Sequence, residues 1–182
     1  MIYLIGGASR SGKTSLALRL LEEKKVPYLS LDVLMMGLRG AGFSEYANER
    51  DDVEVAANLE NVLAPMVENI RYCGMPYVLE GVYLRPAFIR KMMDKASDVT
   101  GCVLGYPETP WEQKLSDMLE YRSIANNWLK GESAEYQRNH IIRHHEISVM
   151  DKQAAATANV AFFDTGESYH ESLDAAFGYL VK

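Results

Sequence analysis

A glycine-rich stretch, Gly6-Gly7-Ala8-Ser9-Arg10-Ser11-Gly12-Lys13-Thr14, separates a short apolar run from a segment of helical period, and it constrains the fold more than any other part of the chain. From Gly7 to Thr14 it spells G-x-x-x-x-G-K-[ST]. The flanks are those the pattern needs. Met1 to Ile5 reads as a strand, and Leu16, Leu20 and Leu21 recur at helical spacing after Gly12. Glycines in such a loop let backbone N–H groups wrap an anion, and the following helix points the positive end of its dipole at the same place. The loop Gly7, Ala8, Ser9, Arg10, Ser11, Gly12, Lys13, Thr14 and Ser15 is therefore the expected cradle of a polyphosphate. Lys13 would neutralise β and γ oxygens, and Thr14 would place its hydroxyl on Mg²⁺.

The rest of the 182-residue chain repeats the alternation of strand and helix. Further strands are predicted at Pro27 to Leu31, Tyr77 to Glu80, Thr100 to Tyr106 and Val160 to Asp164, which implies an α/β fold with a parallel sheet covered on both faces. A long apolar stripe runs from Val55 to Ile70, with Asp51 and Asp52 at its N-terminus and a kink expected at Pro65. Thr109-Pro110-Trp111-Glu112 and Ser168 with Glu171 are predicted capping boxes for two later helices. The segment from Asn126 to Asn159 is polar, has few apolar anchors, and reads as a mobile helical excursion. No repeat or linker divides the chain, so one domain over 1–182 is expected.

Composition excludes several classes. With 19 basic against 25 acidic residues the formal charge is -6, which disfavours a nucleic acid polymer or anionic lipid as partner. Cys73 and Cys102 form no disulfide framework or metal pattern. No apolar run is long enough for a membrane span, and Met1 to Ile5 is too short for a secretory signal. A cytoplasmic protein, monomer or homodimer, is expected.

In a parallel α/β sheet, ligands sit at the carboxyl ends of the strands. That rule selects Asp32, Glu80 and Asp164. Asp32 would accept the proton of an incoming hydroxyl or orient it, or else cap the following helix. Glu80 would bind the metal, a water of its shell or the acceptor, or pair with a structural Arg. Asp164, before Thr165-Gly166, would shape a turn. Arg138 and Arg143, five apart, with Arg122 one helix earlier, would face charge on transferring oxygens or else be solvated surface cations. Arg39, Arg50, Arg85 and Arg90, Arg85 foremost, either hint at an anionic acceptor or are ordinary helix-surface charges. His140 and His144, at i, i+4, form a polar or interfacial face rather than a metal site. Met35, Met36, Met92, Met93, Trp111 and Trp128 are expected to pack.

On the phosphate loop, Ser30-Leu31-Asp32, Leu79-Glu80-Gly81 and the Arg-bearing insert before the last strand, the chain resembles the P-loop small-molecule and nucleotide kinases. This is the adenylate kinase-like group, with shikimate-, adenylylsulfate-, chloramphenicol- and 2-phosphoglycerate-phosphorylating members, the last two the more similar. The paired aspartates of the adenylate kinase lid and the Gly-rich acceptor loop of shikimate kinases are missing. The resemblance implies a three-layer α/β/α P-loop NTPase fold with five parallel strands in order 2-3-1-4-5. It also implies a helical acceptor region at about 32–72 and a lid at about 126–145. The implied activity is transfer of the γ-phosphoryl group of ATP, with Mg²⁺, to a small-molecule or nucleotide acceptor. Lys13, Asp32, Arg138 and Arg143 would be catalytic, Asp32, Arg39, Glu80 and Arg85 would bind the acceptor, and Thr14 and Glu80 the metal. A nucleotide-gated binding or regulatory protein is the alternative.

Overall fold

A computed structural model describes residues 1–46, 52–120 and 128–182. In chain order the elements are β1 (Ile2–Gly7), α1 (Lys13–Lys24), β2 (Tyr28–Ser30), α2 (Leu31–Gly40), α3 (Asp52–Tyr72), β3 (Tyr77–Glu80) and α4 (Pro86–Lys95). They continue as β4 (Val99–Gly105), α5 (Trp111–Glu120), α6 (Ala134–Ala158), β5 (Ala161–Asp164) and α7 (Tyr169–Leu180), with short 3₁₀ turns at Ser44–Tyr46 and Trp128–Gly131. All five strands are parallel in the order β2-β3-β1-β4-β5.

The central strand β1 is buried along its whole length. Successive side chains point to opposite faces, so Ile2 and Leu4 join one core and Tyr3 and Ile5 the other. The first core is closed by α2, α3 and α4 through Met35, Leu59, Leu63, Phe88 and Ile89. The second is closed by α1 and α7 through Leu16, Leu20, Leu173 and Phe177. Helix α3 runs on through Pro65. Among the described residues no helix is long and apolar enough to cross a membrane.

Several local expectations are corrected. Asp32 does not end a strand or cap a helix: β2 stops at Ser30, which holds the N-cap position of α2 without a side-chain cap bond, and Asp32 lies in the first turn. Ser168 precedes α7 without a side-chain cap bond, and Ser172 Oγ instead donates to the Asp164 carbonyl at 2.5 Å. The hydroxyl of Thr109 is buried without a hydrogen-bond partner among the described residues, and the Lys114 N–H bonds the Pro110 carbonyl, so α5 starts one residue later than predicted.

The largest correction concerns the polar segment before β5. From Ala134 it is one continuous 25-residue helix packed on β4, α4 and α5. Its buried face holds Gln137, Ile141, His144, Ile147, Ser148, Asp151 and Ala155. Four of these seven anchors are polar, and a search for apolar periodicity passes over them. The Gln137 amide donates to the Leu129 carbonyl at 2.7 Å, the Tyr106 N–H donates to Ser148 Oγ at 2.6 Å, and Asp151 meets Arg85 at 3.0 Å. Residues 121–127, with Arg122 and the expected start of the lid at Asn126, lie outside the described residues, as do Arg50 and Asp51.

Candidate functional site

The loop after β1 takes its shape from two glycines. Gly7 has φ 121°, and a Cβ there would sit 1.9 Å from the Leu104 carbonyl oxygen, so only glycine lets β1 leave the sheet against β4. Gly12, with φ 98°, is the N-cap of α1. The first-turn amides of a helix have no intrahelical acceptors, so the start of α1 offers N–H groups and a positive dipole end to an anion. Lys13 arches back over the loop and donates from Nζ to the Ala8 carbonyl at 2.6 Å. Burial pulls its pKa down, opposed by Glu80, Asp32 and Asp151.

Two oxygen donors converge beside Lys13. Thr14 Oγ1 donates to Glu80 Oε1 at 3.2 Å, which joins the end of the loop to the end of β3. Burial pushes the Glu80 carboxyl upward, while Lys13 and the hydroxyls of Ser30 and Thr14 favour its ionised form. Hydroxyl and carboxylate oxygens are the hard donors magnesium takes, and in phosphate sites one or two protein oxygens suffice because phosphate and water complete the shell. The pair therefore fits that ion. No cluster of three His, Cys, Asp or Glu occurs among the described residues.

Lys13, Thr14, Glu80 and Asp32 border one cavity of about 750 Å³ at the carboxyl ends of the strands. Its far wall is the turn from Thr165 to Glu171. Thr165 Oγ1 donates to the Ser11 carbonyl at 3.0 Å, and the Tyr169 hydroxyl donates to Ser15 Oγ at 3.0 Å, so this turn is tied to the phosphate loop. Asp164 shapes it by accepting the Gly166 N–H at 2.9 Å.

Lys114 was not foreseen. It reaches the same cavity from α5, buried, with Nζ 4.6 Å from the centre of the Tyr106 ring. Burial lowers its pKa to about 8, with Arg10 and Lys13 acting in the same direction and Asp117 and Asp164 against it. In sequence a lysine on an amphipathic helix looks like a solvent-facing charge, and no local signal marks it as buried.

Arg39, Arg85, Arg138 and Arg143 do not line the cavity. Arg39 donates to the Tyr46 carbonyl and to the Tyr83 hydroxyl. Arg85 contacts buried Asp151, whose pKa rises to about 6 because burial outweighs the pull of Arg85 and Lys13. Arg143 lies 3.4 Å from Asp52, and Arg138 lies 5.1 Å from the centre of the Trp111 ring. Arg10, by contrast, borders the cavity, as its place in the loop predicts.

No protein-family description matches the chain, and no curated protein matches it in sequence. Solved structures match its fold. Shikimate kinase from Bacteroides thetaiotaomicron is 16% identical with a TM-score of 0.57, over 99% of this chain and 96% of that one. A gluconokinase from Sinorhizobium meliloti 1021 is 15% identical with a TM-score of 0.56, over 98% and 91%. Shikimate kinase from Acinetobacter baumannii, solved in complex with shikimate, is 18% identical with a TM-score of 0.55, over 98% and 89%. The chain thus has the fold of P-loop small-molecule kinases of the adenylate kinase-like group.

Proposed function

We propose that this chain is a phosphotransferase that moves the γ-phosphoryl group of ATP to a hydroxyl of a small molecule. The observation that carries the reading is the convergence of Lys13, Thr14 and Glu80 at the mouth of a strand-end cavity whose wall includes Asp32. A bare anion-binding turn would need no paired carboxylate and hydroxyl beside its lysine.

Magnesium, when bound, would neutralise charge on the β and γ oxygens. Thr14 and Glu80 would hold it. Lys13 leaves the Ala8 carbonyl to meet phosphate oxygens, exchanging a neutral acceptor for an anionic one, and so gains a stronger bond when the triphosphate arrives. Asp32 accepts the proton of the acceptor hydroxyl as its oxygen bonds the γ phosphorus and the bond to the β-phosphate oxygen breaks, leaving ADP. Arg138 and Arg143 serve the reaction only if closure brings them off Trp111 and Asp52. An anionic acceptor at Arg85 would have to displace Asp151.

Incubation with γ-labelled ATP, magnesium and a panel of neutral and anionic hydroxyl compounds tests the reading. Label is expected on one compound with wild-type protein and not with Lys13→Ala. Saturable ATP binding without transfer to any compound would favour the regulatory alternative and overturn the kinase.

A further inference from the structure

Ser9, inside the phosphate loop, has both of its backbone polar groups taken by side chains from other elements. Its N–H donates to Nδ1 of His144 on α6 at 3.2 Å, and its carbonyl accepts the Tyr106 hydroxyl at 2.9 Å. The Tyr106 N–H in turn donates to Ser148 Oγ at 2.6 Å. His144 and Ser148 lie one turn apart on the same helix, so the four residues close a ring of contacts that holds the peptide groups on both sides of Ser9.

Ser9 precedes a strained residue. Arg10 has φ 64°, a left-handed conformation that a residue with a side chain adopts at a cost, and which persists only when the surroundings hold it. The Ser9 contacts are such a hold. They leave the amides at the start of α1, beyond the strained residue, for the anion.

We propose that His144 is a positioning residue: with Tyr106 it clamps Ser9 from behind the phosphate loop and so fixes the loop in the shape that receives a polyphosphate. The proposal rests on the reading of this loop as a triphosphate site. The chemistry of the imidazole suits the task. Nδ1 accepts, so the ring is neutral with its proton on Nε2, which lies 3.7 Å from Asp52 Oδ2 on α3. The charged and titratable groups around it are His140 and Arg143 on α6, Lys13 from the loop, Arg85 ahead of α4 and Asp52. Burial and the three cations keep the ring neutral, well below the usual histidine range. A protonated ring would present an N–H to Ser9 and break the clamp.

Three single variants of the full chain test this, with MgATP affinity measured by calorimetry, KM and kcat by turnover, and the thermal midpoint by circular dichroism. His144→Leu removes the acceptor and should raise the ATP Kd and KM by about ten-fold, the worth of one buried hydrogen bond, with kcat changed far less. His144→Asn puts an oxygen near the position of Nδ1 and should recover most of that loss. Tyr106→Phe removes only the hydroxyl on the Ser9 carbonyl and should weaken ATP by several-fold. Wild-type affinity in folded His144→Leu, or no recovery in His144→Asn at the same thermal midpoint, would overturn the clamp and leave the triphosphate reading intact. If His144→Leu does not fold, the Tyr106→Phe result decides in the same two directions. A wild-type chain that binds no triphosphate removes both.

Discussion

Helices α1 and α6 reach the phosphate loop from opposite faces of the sheet, and they are fastened by different forces. Leu16, Ala17 and Leu20 hold α1 by apolar burial against Ile5, Val78 and Leu104. Ile141, Ile147 and Ala155 bury apolar surface on α6 as well, but Gln137, His144, Ser148 and Asp151 add hydrogen bonds and an ion pair, which the apolar side chains on the packed face of α1 cannot make. Apolar burial is non-directional and stabilises without fixing any one atom. Hydrogen bonds are directional and fix particular atoms. The apolar contacts of α1 carry its share of stability, while α6 sets where the peptide of Ser9 lies.

The comparison breaks most sharply at Lys13, where α1 contributes charge as well as packing. Lys13→Ala should lower kcat/KM by about 10³, since a preorganised cation on the transferring oxygens is lost. A loss within a factor of three, measured by coupled turnover, would place the chemistry elsewhere. Asp32→Asn should slow turnover by about 10² and leave the ATP Kd unchanged, because under the proposed mechanism it removes the base without touching the loop. Equal loss of binding and turnover would make Asp32 a structural residue of α2.

Next in size is a pair that separates the two kinds of fastening. Leu16→Ala should cost about 2–5 kcal/mol of stability in denaturant melts, with the ATP affinity of the folded protein within two-fold of wild type. Ser148→Ala should cost about 1 kcal/mol and yet weaken ATP, because it frees the Tyr106 N–H and loosens the ring of contacts on Ser9. If the two variants change affinity alike, the division of labour between α1 and α6 is wrong.

The same contrast explains what could be read from the sequence. Elements that bury apolar stripes were legible: the strands, α1, the stripe of α3 and the closing face of α7 all lie within a residue or two of their predicted positions. The phosphate loop was legible because glycine, lysine and threonine at fixed spacing have a local chemical reason. Helix α6 was legible as helical, but its packing was not, because its polar anchors find their partners far away in sequence. His144 meets Ser9 at a separation of 135 residues, and Arg85 meets Asp151 at a separation of 66. Arginines expected to face an acceptor or transferring oxygens, Arg39, Arg85 and Arg143, instead meet internal partners that no spacing rule could name.

Lys114 on α5 represents a third mode, a buried charge, and carries the smallest expected effect. Its folded pKa of about 8 lies below the ordinary lysine value of 10.5, so between those values the unfolded chain binds more protons than the folded one. Stability without nucleotide therefore rises with pH through that window, and at neutral pH the buried cation is a cost. Lys114→Met should then raise the thermal midpoint at pH 7 and lose that advantage above about pH 10. A bound triphosphate favours the charged form, so ATP binding above pH 8 takes up a proton and its affinity should fall by about three- to ten-fold between pH 8 and 9. Lys114→Arg should flatten that slope, because guanidinium stays protonated there. Calorimetry at both pH values in buffers of different ionisation heat measures the proton uptake directly. A flat wild-type profile with no uptake would show that Lys114 keeps its charge state throughout and takes no part in holding the anion.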